Sequence, residues 1–184
     1  TMRTDPGRPR IPAGKPIPAR RLLAPAAELA PWLLGQSLCR RTPAGVVRMT
    51  LAELEIYDGL EDRASHAFRG RTPRNEVMFG PGGHWYVYLC YGVHWLLNLV
   101  TGTAGHPSAL LIRGTREITG PGRLTKRLGI DSNLNRAPAS RRSGLWLEEN
   151  PVRPPSVPCE RTPRIGIGKP GDPWIDAPLR LVAQ

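Results

Sequence analysis

The apolar runs in the middle of this chain lie too close together for helices to pass between them. HWYVYLCY at 84–91, VHWLLNLV at 93–100 and SALLIR at 108–113 are rich in aromatic and β-branched residues and read as strands. Only Gly92 separates the first two, and seven residues separate the second from the third. A parallel crossover needs about a dozen or more, so these strands must pair antiparallel. VVRMTLAELEIY at 46–57 is a further strand, with Leu54 and Ile56 on one face and Glu53, Glu55 and Tyr57 on the other. Short helices are expected at 25–34, stopped by Gly35, at 60–68, carrying His66, and at 120–130, where Leu124 and Leu128 face inward. Gly92 reads as a bulge. Closing strands are expected at 164–167 and 179–182, and a proline-rich loop over 131–162. The fold class is α+β: a single compact domain with a largely antiparallel, curved sheet and short flanking helices.

Twenty-one prolines and twenty glycines keep these elements short and exclude a long helical bundle. The net charge of +11 rests on 23 arginines and only three lysines, Lys15, Lys126 and Lys169. Arginine pairs bidentately with phosphate, so this balance points to a nucleic-acid partner. The charge is uneven. Residues 1–48 carry nine basic and two acidic residues, whereas residues 49–113 carry five and six. A basic periphery around an acidic centre fits an enzyme that holds a polyanion at its edge. Residues 1–20 read as a flexible basic arm, and 21–184 as the domain proper. Cys39, Cys90 and Cys159 form no C-x-x-C pair and read as reduced thiols of an intracellular, cytoplasmic protein. No signal peptide or membrane-length apolar run is seen.

Metal and nucleophile chemistry find little support in the spacing. His66, His84, His94 and His106 are scattered, and H-E-x-x-H, the zinc-deaminase signature, the Walker loop and a nucleophile elbow are all absent. No lysine occurs between residues 16 and 125, which argues against a Schiff-base mechanism. What stands out is LAELEIYDGLED, with five carboxylates in ten residues. Glu53 and Glu55 share a strand face, roughly 7 Å apart, and Tyr57 continues it. Tyr86 and Tyr88 share a face of a neighbouring strand. A carboxylate among tyrosines can activate water beside a flat, stackable substrate. Asp58, Glu61 and Asp62 read as turn and helix-start residues.

ELEIYDG at 53–59, SHAFRGRTPRN at 65–75, MFGPGGHWYVYLCYGVHWLLNLV at 78–100, ALLIRG at 109–114, GPGRLTKRLGI at 120–130 and PRIGIGKPGDPW at 163–174 resemble, in order, the alkyladenine (3-methyladenine) DNA glycosylase family. The resemblance implies a monofunctional enzyme, without metal or cofactor, that flips a damaged purine from duplex DNA and hydrolyses its N-glycosidic bond. It implies Glu55 as general base and Arg113 beside the attacking water. Tyr57 and Tyr88 are implied on either side of the flipped base, His66 in contact with it, and Asn98 as a residue crowding the amine of normal guanine. Tyr91 is implied as the residue inserted into the duplex, with further DNA contacts at Thr72, Arg74, Asn75 and His94. Ile56 stands where relatives commonly have alanine; it should point away from the Glu face. The expected partner is double-stranded DNA containing damaged purines, bound by a monomer, at the nucleoid if the cell is bacterial. A non-catalytic binder of damaged nucleic acid and a nucleosidase are the alternatives, both separated from this reading by duplex-dependent base release.

Overall fold

The computed structural model describes residues 11–168 and 172–184. Among these, the strands are β1 (Ser37–Thr42), β2 (Gly45–Asp58), β3 (Trp85–Cys90), β4 (His94–Val100), β5 (Ser108–Thr115), β6 (Leu145–Glu148), β7 (Cys159–Thr162) and β8 (Arg180–Ala183), with helices α1 (Ala26–Leu33) and α2 (Pro121–Leu128). The strand order is β3-β4-β5-β2-β1-β6, and β8 joins β7 to β2. All these pairings are antiparallel, and the sheet curls into a half-barrel. The chain is a single α+β domain, as the short gaps between strands require.

The period of two sorts the sheet's faces. Trp85, Val87, Leu97, Leu99, Leu110, Ile112, Leu54 and Ile56 belong to one apolar core together with Leu29 and Leu33 of α1 and Leu124 and Leu128 of α2. Ile56 is fully engaged there, away from the glutamates, as expected. The alternate positions point to the other face. Register brings Glu55, Leu111, Asn98 and Tyr86 into one row across β2, β5, β4 and β3. One face therefore supplies burial and the other is free to carry polar groups.

α2 is held at its C-terminal end by Arg40. This side chain donates to the Leu128 carbonyl at 3.0 Å and the Gly129 carbonyl at 3.2 Å, meeting carbonyls the helix cannot satisfy itself. On α2, Gly122 approaches His94 so closely that a Cβ would lie 2.9 Å from the imidazole.

Several expectations need correction. Residues 60–68 form successive turns rather than a helix. The Asp62 carboxylate accepts from Ala64 N–H at 3.0 Å and the Ser65 hydroxyl from Ala67 N–H at 3.2 Å, and such local bonds compete with helix formation. The strand read at 164–167 is a turn, and the actual strand, β7, lies just before it; Pro163 cannot extend the ladder. The 131–162 region read as loop contains β6 and β7, and β1 escaped notice altogether. Gly92 is no bulge. It sits with Tyr91 in a three-residue hairpin turn between Cys90 and His94, both in the left-handed region. Of the segment read as an arm, residues 1–10 lie outside the described residues, while residues 11–20 run along the body. Ile17 is buried and donates to Leu147 O at 2.9 Å. Gly14 passes so near the Glu149 carbonyl that no side chain would fit.

Glu148 fastens this early segment to the body. Its buried carboxylate accepts from Arg48 at 2.8 Å, Trp146 at 2.9 Å, Arg141 at 3.0 Å and Gly14 N–H at 3.2 Å. Burial opposes its charge, but the bonds from Arg48, Trp146, Arg141 and Gly14 outweigh that and hold its pKa down to about 2 from 4.5. A depressed carboxylate contributes stability above its unfolded pKa and loses it as pH falls through its folded one. Thermal unfolding should thus show a contribution of about 3 kcal/mol that disappears between roughly pH 4.5 and 2. Glu148→Gln should remove that acid dependence and cost about 3–5 kcal/mol at pH 7.

Candidate active site

The polar face of the sheet opens into a pocket of about 690 Å³ whose lining includes Tyr57, His66, Tyr88, Leu96, Asn98, Leu111 and Arg113. That is ample for a single nucleobase. Beneath it lies Glu55, with 0% exposure. A carboxylate so buried must be met by donors, and three segments supply them. Ile165 N–H donates to Oε1 at 2.7 Å, the Tyr57 hydroxyl donates to Oε2 at 2.9 Å, and Arg113 Nη1 stands 3.5 Å from Oε1. With two hydrogen bonds and the Arg113 ion pair on a carboxylate of roughly four acceptor sites, at least one site on Oε2 is left over. Burial, then the neighbouring Glu55 charge, push the Tyr57 phenol far above its ordinary range. Tyr57 is therefore a fixed donor, not an acid.

Arg113 owes its aim to a β-bulge. Leu54 pairs with Ile112 and Glu53 with Gly114, leaving Arg113 as the extra residue on β5. Its Nε donates to Glu53 Oε1 at 3.1 Å while Nη1 reaches Glu55. Glu53 also accepts from Arg180 Nε at 2.6 Å. Glu53 is thus an anchor for two arginines, and Glu55 is the carboxylate directly behind the lining residues Tyr57, Arg113 and Ile165.

The aromatic wall comes from β3. The Tyr86 and Tyr88 rings lie 5.2 Å apart, and the His66 ring meets Tyr88 edge-on at 4.6 Å. His66 Nδ1 is 3.0 Å from the Tyr86 hydroxyl. Burial, with the Arg74 charge second, lowers the His66 pKa, so the imidazole is neutral at pH 7. Burial pushes the Tyr86 phenol up to about 12 and the Tyr88 phenol higher still. Asn98 is buried and donates to the Tyr86 carbonyl at 3.1 Å.

At the rim, Tyr91 is 91% exposed at the tip of the β3–β4 hairpin, close to exposed His94 and to Arg123 of α2, which also line the pocket. Arg74 leans inward. Its guanidinium lies 5.4 Å from the Tyr88 ring and donates to Leu89 O at 3.2 Å. Thr72 lies apart, in a shallow depression with Arg71 and Glu76. Asn75 is buried, and both N–H groups of its amide are used. It accepts from Thr72 N–H at 2.7 Å and donates to the His66 and Gly70 carbonyls at 2.8 and 3.0 Å. It organises the loop that presents His66 and offers no free group to a phosphate.

Glu55, Tyr57, His66, Tyr88, Asn98, Arg113, Tyr91, His94 and Arg74 therefore gather around one cavity, while Thr72 and Asn75 do not. Sequence reasoning missed the backbone of Ile165, a donor no side-chain pattern can reveal. It also missed Arg164 and Arg180, although the PRIGIG run marked the neighbourhood. Among the described residues, no three His, Cys, Asp or Glu side chains form a group that could hold a metal ion, and no helix is long and apolar enough to cross a membrane.

A family model described as "Methylpurine-DNA glycosylase (MPG)" matches residues 20–120 and 114–184. This chain belongs to that family. As a member it is a DNA glycosylase. Three relatives share the printed name "Putative 3-methyladenine DNA glycosylase". That of Methanocella arvoryzae is 39% identical, over 82% of this chain and 86% of its own. That of Streptomyces avermitilis is 38% identical, over 89% and 87%. That of Cutibacterium acnes is 42% identical, over 86% and 91%. The family's match thus includes every segment that builds the pocket.

The neutral state of His66 is open to direct measurement. Its ring resonances should titrate below the ordinary value of 6.5, and Arg74→Ala should move the midpoint upward, because one of the two causes of the depression is removed. Burial remains, so the midpoint should stay below that ordinary value.

Proposed function

We propose that this glycosylase acts in base excision repair by flipping alkylated or deaminated purines, of the 3-methyladenine, ethenoadenine and hypoxanthine class, out of duplex DNA, and that Glu55 activates the water that hydrolyses the glycosidic bond. The observation that carries this reading is the fully buried Glu55, held by Tyr57, Ile165 and Arg113, three residues that line a tyrosine-walled pocket. A base in a duplex is out of reach of such a pocket and must be extruded. Tyr57 and Tyr88 offer ring faces to the flipped base, and stacking contributes about 1–3 kcal/mol per base. An alkylated, cationic purine gains a further ~0.5–2 kcal/mol from electron-rich rings.

The remaining acceptor site on Glu55 Oε2 takes the water. Glu55 draws its proton as the oxygen attacks C1′, and the bond to the purine breaks with its electrons leaving on the base. The carboxylate charge also favours the oxocarbenium-like transition state. Neutral His66 and Asn98 present polar edges to the base, and Asn98 crowds the amine of undamaged guanine. Hydrolysis of this kind calls for no cofactor. Among the described residues no lysine lines the pocket, in keeping with a monofunctional enzyme. The enzyme is taken to act as a monomer. Its substrate is genomic DNA, in the cytoplasm, at the nucleoid if the cell is bacterial.

Exposed arginines, with Arg74 and His94 lining the pocket and Thr72 in its separate depression, would hold the DNA backbone. Tyr91 would fill the gap left by the flipped nucleotide. Its exposure argues against a role in the core, so Tyr91→Ala should leave Tm nearly unchanged. Lesion-duplex affinity should fall about tenfold or more, and less when the lesion sits opposite a mismatch. Normal affinity would remove the wedge from the reading.

The central test is release of free base from a duplex with one 3-methyladenine, ethenoadenine or hypoxanthine. Glu55→Gln should slow single-turnover release by about 10²–10⁴-fold while duplex binding persists. Glu53→Gln, which loosens only the anchor of Arg113 and Arg180, should lose about tenfold or less. Equal losses at the two positions would place the base elsewhere.

A further inference from the structure

Behind the pocket lies a buried ion pair that the chemistry above does not use. Arg164 and Asp62 are both removed from solvent, and their side chains meet bidentately: Nη1 to Oδ2 at 2.5 Å and Nη2 to Oδ1 at 2.8 Å. Arg164 Nη1 also donates to the Ile56 carbonyl at 2.9 Å, one residue beyond Glu55 on β2. Its guanidinium carbon lies 4.6 Å from the centre of the Tyr57 ring. Arg164 does not line the pocket, whereas Tyr57 and Ile165 do, so it backs Tyr57 from the far side. Its Nε is buried without a partner.

We infer that Asp62 and Arg164 are positioning residues for Glu55, which rests on the functional reading above. The argument is geometric. The hydrogen-bond donors to Glu55 are the Ile165 N–H and the Tyr57 hydroxyl. Arg164 is the residue next to Ile165 and is stacked on Tyr57, so one guanidinium fixes both donors. Asp62 anchors that guanidinium, and Asp62 is itself set by the turn in which it accepts from Ala64 N–H. The turn at 62–65, the turn at 164–167 and strand β2 thereby converge on one carboxylate.

A brace needed only for stability has a cheaper solution. Well-packed apolar residues often replace a buried ion pair without loss, and they leave no orphaned N–H. What an apolar pair cannot do is hold Ile165 N–H and Tyr57 OH in register with Oε1 and Oε2. Displacing a general base by as little as about 1 Å can cost 10²-fold in rate.

The test compares the parent chain with Arg164→Met, Asp62→Asn, the double variant and Arg164→Lys on one ethenoadenine duplex. Single-turnover release, lesion-duplex Kd and Tm are measured for each. Positioning predicts that Arg164→Met slows release by about 30-fold or more while Kd stays within about threefold. Asp62→Asn should do nearly as much, and the double variant no more than the worse single, since both act through one link. Arg164→Lys restores the charge opposite Asp62 but not the fork, so it should recover part of the rate. Should Arg164→Met not fold, Asp62→Asn and Arg164→Lys carry the comparison. A lowered Tm with release per folded molecule within about threefold of the parent would overturn the inference and leave a structural brace. Parallel losses in rate and lesion affinity would overturn it too, showing that the pair shapes the pocket. A parent chain that releases no base overturns the functional reading, and this role with it.

Discussion

A carboxylate withdrawn from water must be surrounded by donors, and much of this structure follows from meeting that requirement at Glu55. Ile165 N–H, the Tyr57 hydroxyl and Arg113 come from a turn, a strand and a bulge in the neighbouring strand. No single segment could supply all three. The half-barrel curl brings them together, because β2 pairs with β5 on one side and β8 on the other. Glu53 belongs to the same arrangement at one remove, since it holds Arg113 and Arg180. Its place explains why two glutamates alternate on this strand and why they are not equivalent.

The aromatic wall shows a complementary use of burial. Tyr57, Tyr86 and Tyr88 all have phenols pushed upward by desolvation, and His66 has its imidazole pushed downward by it. Each is thereby kept neutral. Neutral aromatic walls leave the charge of the site to Glu55 beneath the lining and to the arginines Arg74, Arg113 and Arg123 in it. The arginines are instead distributed between the exposed rim and internal ion pairs such as Asp62–Arg164 and Arg48–Glu148. The chain's positive charge is thus partly structural, and the net excess overstates what a DNA backbone would meet.

Among the described residues, two buried carboxylates, Glu148 and Asp62, each tie together segments distant in the chain. Glu148 binds the early segment through Gly14, β2 through Arg48 and the turn before β6 through Arg141. Asp62–Arg164 binds the turns around the pocket. The first lies away from the pocket, which leaves stability and the candidate chemistry in separate regions joined by β2. Acid should therefore loosen the β1–β6 edge of the fold through Glu148.

The amino-acid sequence by itself determined the antiparallel sheet, because gaps of one and seven residues exclude crossovers. It determined the two faces, because the period of two puts Leu54 and Ile56 opposite Glu55 and Tyr57. It also marked Glu55, Tyr57, His66, Tyr88 and Asn98 as candidates around one site, through motifs carried on those strands. Other features were decided only by tertiary structure. Ile165 acts through its backbone N–H, which every residue but proline carries, so no residue type announces it. Arg164 and Asp62 stand 102 positions apart in the chain, and only the fold makes them a pair. Asn75 looked like a phosphate contact and is a loop organiser, because burial decides whether an amide faces solvent or its own backbone. The turns at 60–68 defeated a helical reading because side-chain bonds from Asp62 and Ser65 captured the backbone donors a helix would have used. Local pattern sets which face a residue takes; which distant group it meets there is set by how the strands curl.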